Sequence, residues 1–197
     1  MICFCGNKMI DLKINNINYN LCPSCKFLSK NTNLTEKEEK DRYDLHICDE
    51  KYIEYMNLVY EKISKYLNDG KSIDYGCGKI HILADILNKN NKKCDYYDYY
   101  YYDKALNSSY DNIILIEVFE HIKDIYNFMI KLESLLNDNG RIIIMTKRYP
   151  FDLNNWWYLR DITHVSFVKN ETMIKLAELL KLKLIIDNES DLYVFEK

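Results

Sequence analysis

Two short apolar runs, IILIEV (Ile113–Val118) and RIIIMT (Arg141–Thr146), constrain this chain more than any other feature. A strand with one wet face alternates apolar and polar residues. A continuous apolar run is covered on both faces and belongs inside a parallel sheet. Between the two runs, Lys123–Leu136 has the spacing of an amphipathic helix, with Asn139 and Gly140 as its stop signal. The same alternation holds on either side. KSIDY reads as a strand, then come a glycine turn, a helix over 80–88 and a strand over 93–97. Residues 169–180 read as a helix, and KLIID with DLYVFE as a closing antiparallel hairpin around Asn188. Strands and helices of these lengths predict a doubly wound α/β sheet, mostly parallel, with a C-terminal hairpin.

Upstream, a helix starting after Thr35 and another over 49–67 are predicted, and before residue 30 the chain is short of periodicity and rich in Cys and Asn. The domain reading is a zinc-ribbon-like segment over 1–30, a helical cap over 31–68 and the α/β domain over 69–197. With 27 Lys plus Arg against 30 Asp plus Glu, the chain has no general electrostatic grip on nucleic acid. No apolar run approaches the roughly 20 residues of a membrane span. The N-terminus does not read as a secretory leader, so a cytoplasmic protein is expected. The 18 tyrosines read as background composition.

IDYGCGK places Asp74 at a strand end, followed by Gly76, Cys77, Gly78 and a helix. Glycines let a backbone approach a ligand closely, and the helix start offers unpaired N–H groups. Asp98 ends the next strand, twenty residues beyond Gly78, where a carboxylate can accept from ribose hydroxyls. A nicotinamide-dependent oxidoreductase is disfavoured because the spacing is not G-x-G-x-x-G.

IDYGCGK, Asp98, YDNIILIEVFEHIKD and NDNGRIIIMT together resemble the successive motifs of class I S-adenosylmethionine-dependent methyltransferases. The similarity covers about Tyr43 to the C-terminus. It is closest to the group resembling ubiquinone-biosynthesis methylases, some of which carry an N-terminal Cys cluster and a WWY-x-RD-x-THV segment. The resemblance implies a Rossmann-like fold with a seven-stranded sheet, the glycine loop near the methionine moiety and Asp98 on the ribose. Glu117 and Val118, ending IILIEV, would line the cofactor pocket. Two departures stand out: Ile80 replaces the usual third glycine, and residues 99–110 are too short for a full helix–strand pair.

Glu117, Glu120 and His121 share one face if the segment turns helically, and His164 follows in the loop after the next strand. The oxygen-rich set suits Mg²⁺ or Mn²⁺. It is similar to the Glu-x-x-Glu-His plus later His with which small-RNA 3′-end methyltransferases hold a metal. The alternative is a helix cap and plain cofactor lining. WWYLRDITH supplies Trp156 and Trp157 as apolar walls for a substrate, with Arg160, Asp161 and His164 as catalytic candidates and His164 as the base. The alternative there is a loop brace in which Arg160 pairs with Asp161.

Seven cysteines without a leader make poor disulfide material. Cys3-x-Cys5 and, sixteen residues on, Cys22-Pro-Ser-Cys25 are two close thiol pairs, which suits a tetrahedral structural Zn²⁺. The function expected is methyl transfer from S-adenosylmethionine to a small molecule or lipid-like metabolite. The alternatives are a metal-assisted RNA methyltransferase and a degenerate scaffold that has lost activity.

Overall fold

The computed structural model describes residues 1–104, 106 and 108–197. It begins with an antiparallel meander of β1 (Ile10–Ile14), β2 (Ile17–Leu21) and β3 (Leu28–Lys30). Asn15 and Asn16 turn the first hairpin with φ of 48° and 66°, a region that Asn tolerates better than most residues. Next come α1 (Glu36–Tyr43), capped reciprocally by Thr35 and Glu38, and α2 (Glu50–Ser64), capped by Asp49.

The predicted alternation then follows: β4 (Ser72–Tyr75), α3 (Ile82–Lys89), β5 (Cys94–Tyr97), β6 (Tyr110–Ile116), α4 (Ile125–Ser134) and β7 (Leu136–Met145). After a long segment with one 3₁₀ turn come β8 (Ser166–Phe167), α5 (Asn170–Leu180), β9 (Lys183–Asp187) and β10 (Leu192–Glu196). The main sheet has the order β5-β4-β6-β7-β10-β9. It is parallel from β5 to β7, and β10 runs antiparallel to both of its neighbours.

The apolar runs work as expected because each strand serves two cores. Ile113 and Leu115 of β6, Ile142 and Ile144 of β7, and Tyr193 and Phe195 of β10 pack with Met129 and Leu132 of α4 and Met173 and Leu176 of α5. The intervening Ile114, Ile143, Met145, Leu192 and Val194 pack with Met56, Val59 and Ile63 of α2 and Leu83 and Leu87 of α3. Helices therefore cover both faces, and no strand can slip by one residue without exchanging its two cores.

Three expectations change. Among the described residues the main sheet has six strands, where the resemblance implies seven. Among the described residues of 99–110 none forms a strand before β6, and 105 and 107 lie outside the described set. The helical cap divides: α2 is a core helix of the sheet's outer layer, and only α1 lies over the cleft described below. Asn139 and Gly140 do not end α4, which stops at Ser134. They sit inside β7 where its register against β6 shifts. No helix among the described residues is long and apolar enough to cross a membrane.

Candidate functional site

The carboxyl ends of β4, β5 and β6 open into a cleft of about 520 Å³, the place where α/β sheets receive ligands. The glycine turn forms one wall. At Gly76, with φ of 85°, an added Cβ would lie 2.6 Å from Val118 Cγ2, so only glycine fits. At Gly78, φ 69°, a Cβ would meet nothing within 4 Å, because that position faces the open cleft. Asp98 is held by the same turn: Gly78 N–H donates to its Oδ2 at 2.9 Å, and the N–H groups of Tyr100 and Tyr101 donate to Oδ1 at 2.9 and 3.2 Å. Asp74 and Cys77 lie behind the turn around a small cavity shared with Tyr52 and Leu83. Burial pushes Asp74 up to about 7 and raises the Cys77 thiol. Ile80 is 40% exposed beside them.

The tyrosine run has a structural task that composition did not reveal. Tyr99 and Tyr100 donate to Glu36 and Glu39 of α1, at 3.2 and 3.0 Å, and Tyr101 donates to Asp44 at 2.9 Å. The helix α1 has no buried residue of its own, so these phenols fasten it over the cleft. Tyr43 reaches in from α1 and meets the His121 ring edge-on at 5.2 Å.

At the end of β6 the chain turns through Glu117, whose φ of 52° is a strained value for a residue with a Cβ. Its Oε2 accepts from the Tyr158 hydroxyl at 2.9 Å, and its Oε1 is buried without a partner. The same hydroxyl also meets Glu120 Oε1, while Thr146 Oγ1 donates to Glu120 Oε2 at 2.9 Å. One phenol proton cannot serve two carboxylates at once, which disfavours charge on both together. Burial raises both groups, and the adjacent Glu120 raises Glu117 further.

Glu120, His121 and His164 bring one ligand atom each to within 4.8 Å of one another, and Glu117 stands outside that set. Each imidazole has its Nδ1 on a main-chain carbonyl, His121 on Thr163 (3.2 Å) and His164 on Tyr158 (2.9 Å). That leaves both Nε2 atoms available, the usual preparation of a ligating histidine. Burial, helped by the neighbouring His121, lowers His164 to about 4, and burial lowers His121 as well. One carboxylate and two imidazoles suit Mn²⁺ better than Mg²⁺, a narrower choice than the oxygen-rich set read from sequence.

The WWYLRDITH residues are placed differently from expectation. His164 packs behind His121 and does not line the cleft; its ring lies 4.1 Å from Tyr158. Asp161 braces the loop as the alternative reading had it, but its partner is Arg42 of α1 (2.6 Å), while Arg160 is exposed. Trp156 packs against Tyr158 at a tilt and against Phe167 edge-on, and Trp157 is 59% exposed; neither lines the cleft. The residue that sequence reasoning passed over is Tyr158, fully buried between the two glutamates. Its signal was an aromatic residue with a polar tip inside a loop already rich in chemistry.

The four N-terminal thiols converge. Cys3 and Cys25, and Cys5 and Cys22, have Sγ atoms 3.5 Å apart, and all four lie within 4.8 Å of one another. A Zn–S bond of about 2.3 Å in a tetrahedron gives Sγ–Sγ edges of about 3.8 Å, so the set fits zinc. A larger cavity, about 650 Å³, lies between this ribbon and the start of α4, walled by Met1, Phe4, Phe27 and Tyr126. Of the candidate residues only Cys3 touches it.

A family model described as a methyltransferase domain matches residues 48–185, more than two thirds of the chain. No curated protein matches. Among solved structures the chain is similar to an O-methyltransferase family protein from Burkholderia thailandensis (TM-score 0.52, 9% identity, 80% of this chain and 61% of that one). It is also similar to TnmH (0.55, 11%, 81% and 57%) and to an S-adenosylmethionine-dependent methyltransferase from Archaeoglobus fulgidus (0.52, 14%, 72% and 94%). The chain thus spans about three fifths of the first two, and at these identities the likeness speaks for the fold. The glycine turn beneath an open cleft, the acid that ends the next strand and the family match agree: the chain belongs to the methyltransferase domain family.

Proposed function

We propose that the chain is a class I S-adenosylmethionine-dependent methyltransferase that acts on a small-molecule acceptor and is related most nearly to the ubiquinone-biosynthesis-methylase-like group. The observation that carries the reading is the single cleft shared by the glycine turn, Asp98 and Glu117. In this reading Gly76 and Gly78 let the backbone approach the methionine part, with Asp74 and Cys77 supporting the turn from behind. Asp98 accepts from the ribose, and Glu117 and Val118 border the reacting centre. Methyl transfer from a sulfonium needs an in-line approach above all, and α1, fastened by Tyr99 and Tyr100, keeps water from that approach.

The small-molecule reading is supported by the charge balance, 27 Lys plus Arg against 30 Asp plus Glu, which gives no general grip on a phosphate backbone. The ribbon cysteines hold a structural zinc in this reading, and seven cysteines with none in a disulfide suit a reducing, cytoplasmic setting. The Glu120–His121–His164 cluster favours a second reading, metal-assisted methylation of RNA, in which Mn²⁺ at these residues would act as a Lewis acid and template.

Calorimetric titration with S-adenosylhomocysteine, with NAD⁺ as control, tests the cofactor site. Micromolar binding of the first alone is expected, and failure to bind either moves the reading to the degenerate scaffold. Binding to single-stranded RNA that weakens with added salt would replace the small-molecule acceptor by the second reading.

A further inference from the structure

The N-terminal ribbon does not stand apart from the methyltransferase domain. Its sheet is completed by β8, a strand from the far end of the chain, with Leu28 opposite Phe167 and Ser29 opposite Ser166. Beyond the pairing, Lys30 N–H donates to Val165 O at 2.8 Å and Lys30 Nζ to Asp161 O at 3.1 Å. Tyr149 OH donates to Lys26 O at 2.7 Å, Thr172 Oγ1 to Cys25 O at 2.8 Å, and Asn15 Nδ2 to Asn154 O at 2.8 Å.

One face of the ribbon sheet is also the floor of a separate apolar core. Ile14, Tyr19 and Leu28 of the ribbon pack with Tyr149, Tyr158, Leu159 and Phe167 of the 147–168 segment. Tyr19 and Phe167 lie 6.1 Å apart, and Trp156 closes the cluster against Tyr158 and Phe167 at 5.0 and 5.8 Å. The segment is otherwise irregular, with one 3₁₀ turn and the two residues of β8. The ribbon supplies Ile14, Tyr19 and Leu28 as one surface against which its aromatic side chains bury.

This segment supplies the buried half of the site. Tyr158 hangs between Glu117 and Glu120, His164 holds the Tyr158 carbonyl, and Val165 N–H donates to Glu120 O at 2.8 Å. Ser166 Oγ donates to Ile122 O at 2.5 Å. The glycine turn and Asp98, by contrast, rest on the main sheet and are not among the residues of the Ile14–Tyr19–Leu28 core; the ribbon's cysteines pack on the other side, in the main core with Tyr75 and Tyr97.

We propose that the ribbon, closed by its four cysteines, is the positioning element for the Tyr158–His164 side of the active site, and that its Ile14–Tyr19–Leu28 face governs that side while leaving the cofactor side intact. The inference rests on the zinc and cofactor readings above, and it goes beyond them by giving the ribbon a task within the site. Tyr19, Leu28 and Ile14 are the positioning residues; Tyr158 and His164 are what they position.

Both tryptophans of the chain lie in the governed segment, at 156 and 157, so emission excited at the red edge, where the 18 tyrosines do not absorb, reports on it alone. The experiment compares untreated protein, protein stripped with a chelator, stripped protein given zinc again, and Leu28→Ala, which keeps all four thiols. Expected for stripped protein and for Leu28→Ala are a red shift of emission and hydrogen exchange faster by about tenfold or more over 149–168. In Leu28→Ala, which leaves the main core untouched, exchange over 72–98 and affinity for S-adenosylhomocysteine stay within about twofold. Zinc restores the stripped protein, and Leu28→Ile keeps the native emission. Should Leu28→Ala not fold, Ile14→Val, a smaller deletion in the same core, takes its place. Emission and exchange over 149–168 unchanged in the Leu28 or Ile14 variant would overturn the proposal, and so would faster exchange over 72–98 to the same degree. A protein that contains no zinc when purified overturns the zinc reading alone, and failure of the untreated protein to bind S-adenosylhomocysteine overturns the cofactor reading alone. The core variant still decides the positioning role by emission and exchange.

Discussion

Replacing Gly76 by Ala tests the steric argument on which the glycine turn rests. Its φ of 85° lies in the left-handed region, which costs an L-residue about 1–2 kcal/mol. The new Cβ would also sit 2.6 Å from Val118 Cγ2 and 3.0 Å from Cγ1, and insertion of a carbon into a packed site costs about 1–3 kcal/mol. The expected total is about 2–5 kcal/mol, read as a fall in the urea midpoint of about 1–2 M with the slope unchanged. Gly78→Ala is the internal control. Its φ is 69° and nothing lies within 4 Å of the added carbon, so only the conformational part, about 1–2 kcal/mol, applies. Its Cβ projects into the cleft, and its larger effect is expected on S-adenosylhomocysteine affinity. Combining Gly76→Ala with Val118→Ala removes the overlap but not the backbone cost, so the double variant should recover about 1–3 kcal/mol relative to additivity. Additive effects, or a Gly76→Ala penalty no larger than that of Gly78→Ala, would refute the steric account.

Asp98→Ala is expected to weaken S-adenosylhomocysteine binding by about 1–3 kcal/mol in calorimetry, since it removes the ribose acceptor and leaves Gly78, Tyr100 and Tyr101 N–H groups unpaired; unchanged affinity would remove its assigned role. Burial alone would raise Asp161, but the Thr163 hydroxyl and N–H, with His164 and Arg42 nearby, outweigh it and hold the carboxyl down at about 2. A depressed carboxyl contributes stability above its unfolded pKa near 4 and loses it as pH falls toward 2. Asp161→Asn should therefore cost about 1–2 kcal/mol at pH 7, after allowance for screening, and progressively less below pH 4 in urea titrations. A penalty that does not change with pH would show that the charge is irrelevant there. Glu120→Gln should abolish stoichiometric Mn²⁺ uptake measured by calorimetry on protein whose cysteines are zinc-filled, whereas persistence of a tight Mn²⁺ site would place the ion elsewhere.

Much of the fold was legible in local pattern. IILIEV and RIIIMT have to be two-faced strands, and the helices between strands carry apolar stripes of the right period, so the α/β class and the closing hairpin follow from side-chain geometry within a few residues. The glycine turn was equally legible, because a positive φ and a close approach leave few alternatives to glycine. Where local reading went astray, a longer-range partner intervened. Asn139 and Gly140 look like a helix stop but serve a bulge against Tyr110. Asp161 looks for Arg160 next door and finds Arg42, 119 residues away.

The sequence by itself determined which segments are strands, which are helices, where a ligand loop lies, and that four thiols come in two close pairs. Those features depend on neighbours one to four residues apart, and the rules that govern them act at that range. Only the tertiary structure decided that α1 is tied down by Tyr99 and Tyr100 from 61 to 63 residues away, that Tyr158 stands between Glu117 and Glu120, and that β8 belongs to the ribbon's sheet. A hydrogen bond or an edge pairing between distant segments has no local signature. Many side chains could satisfy it, and which one does depends on where the packed cores bring the backbone.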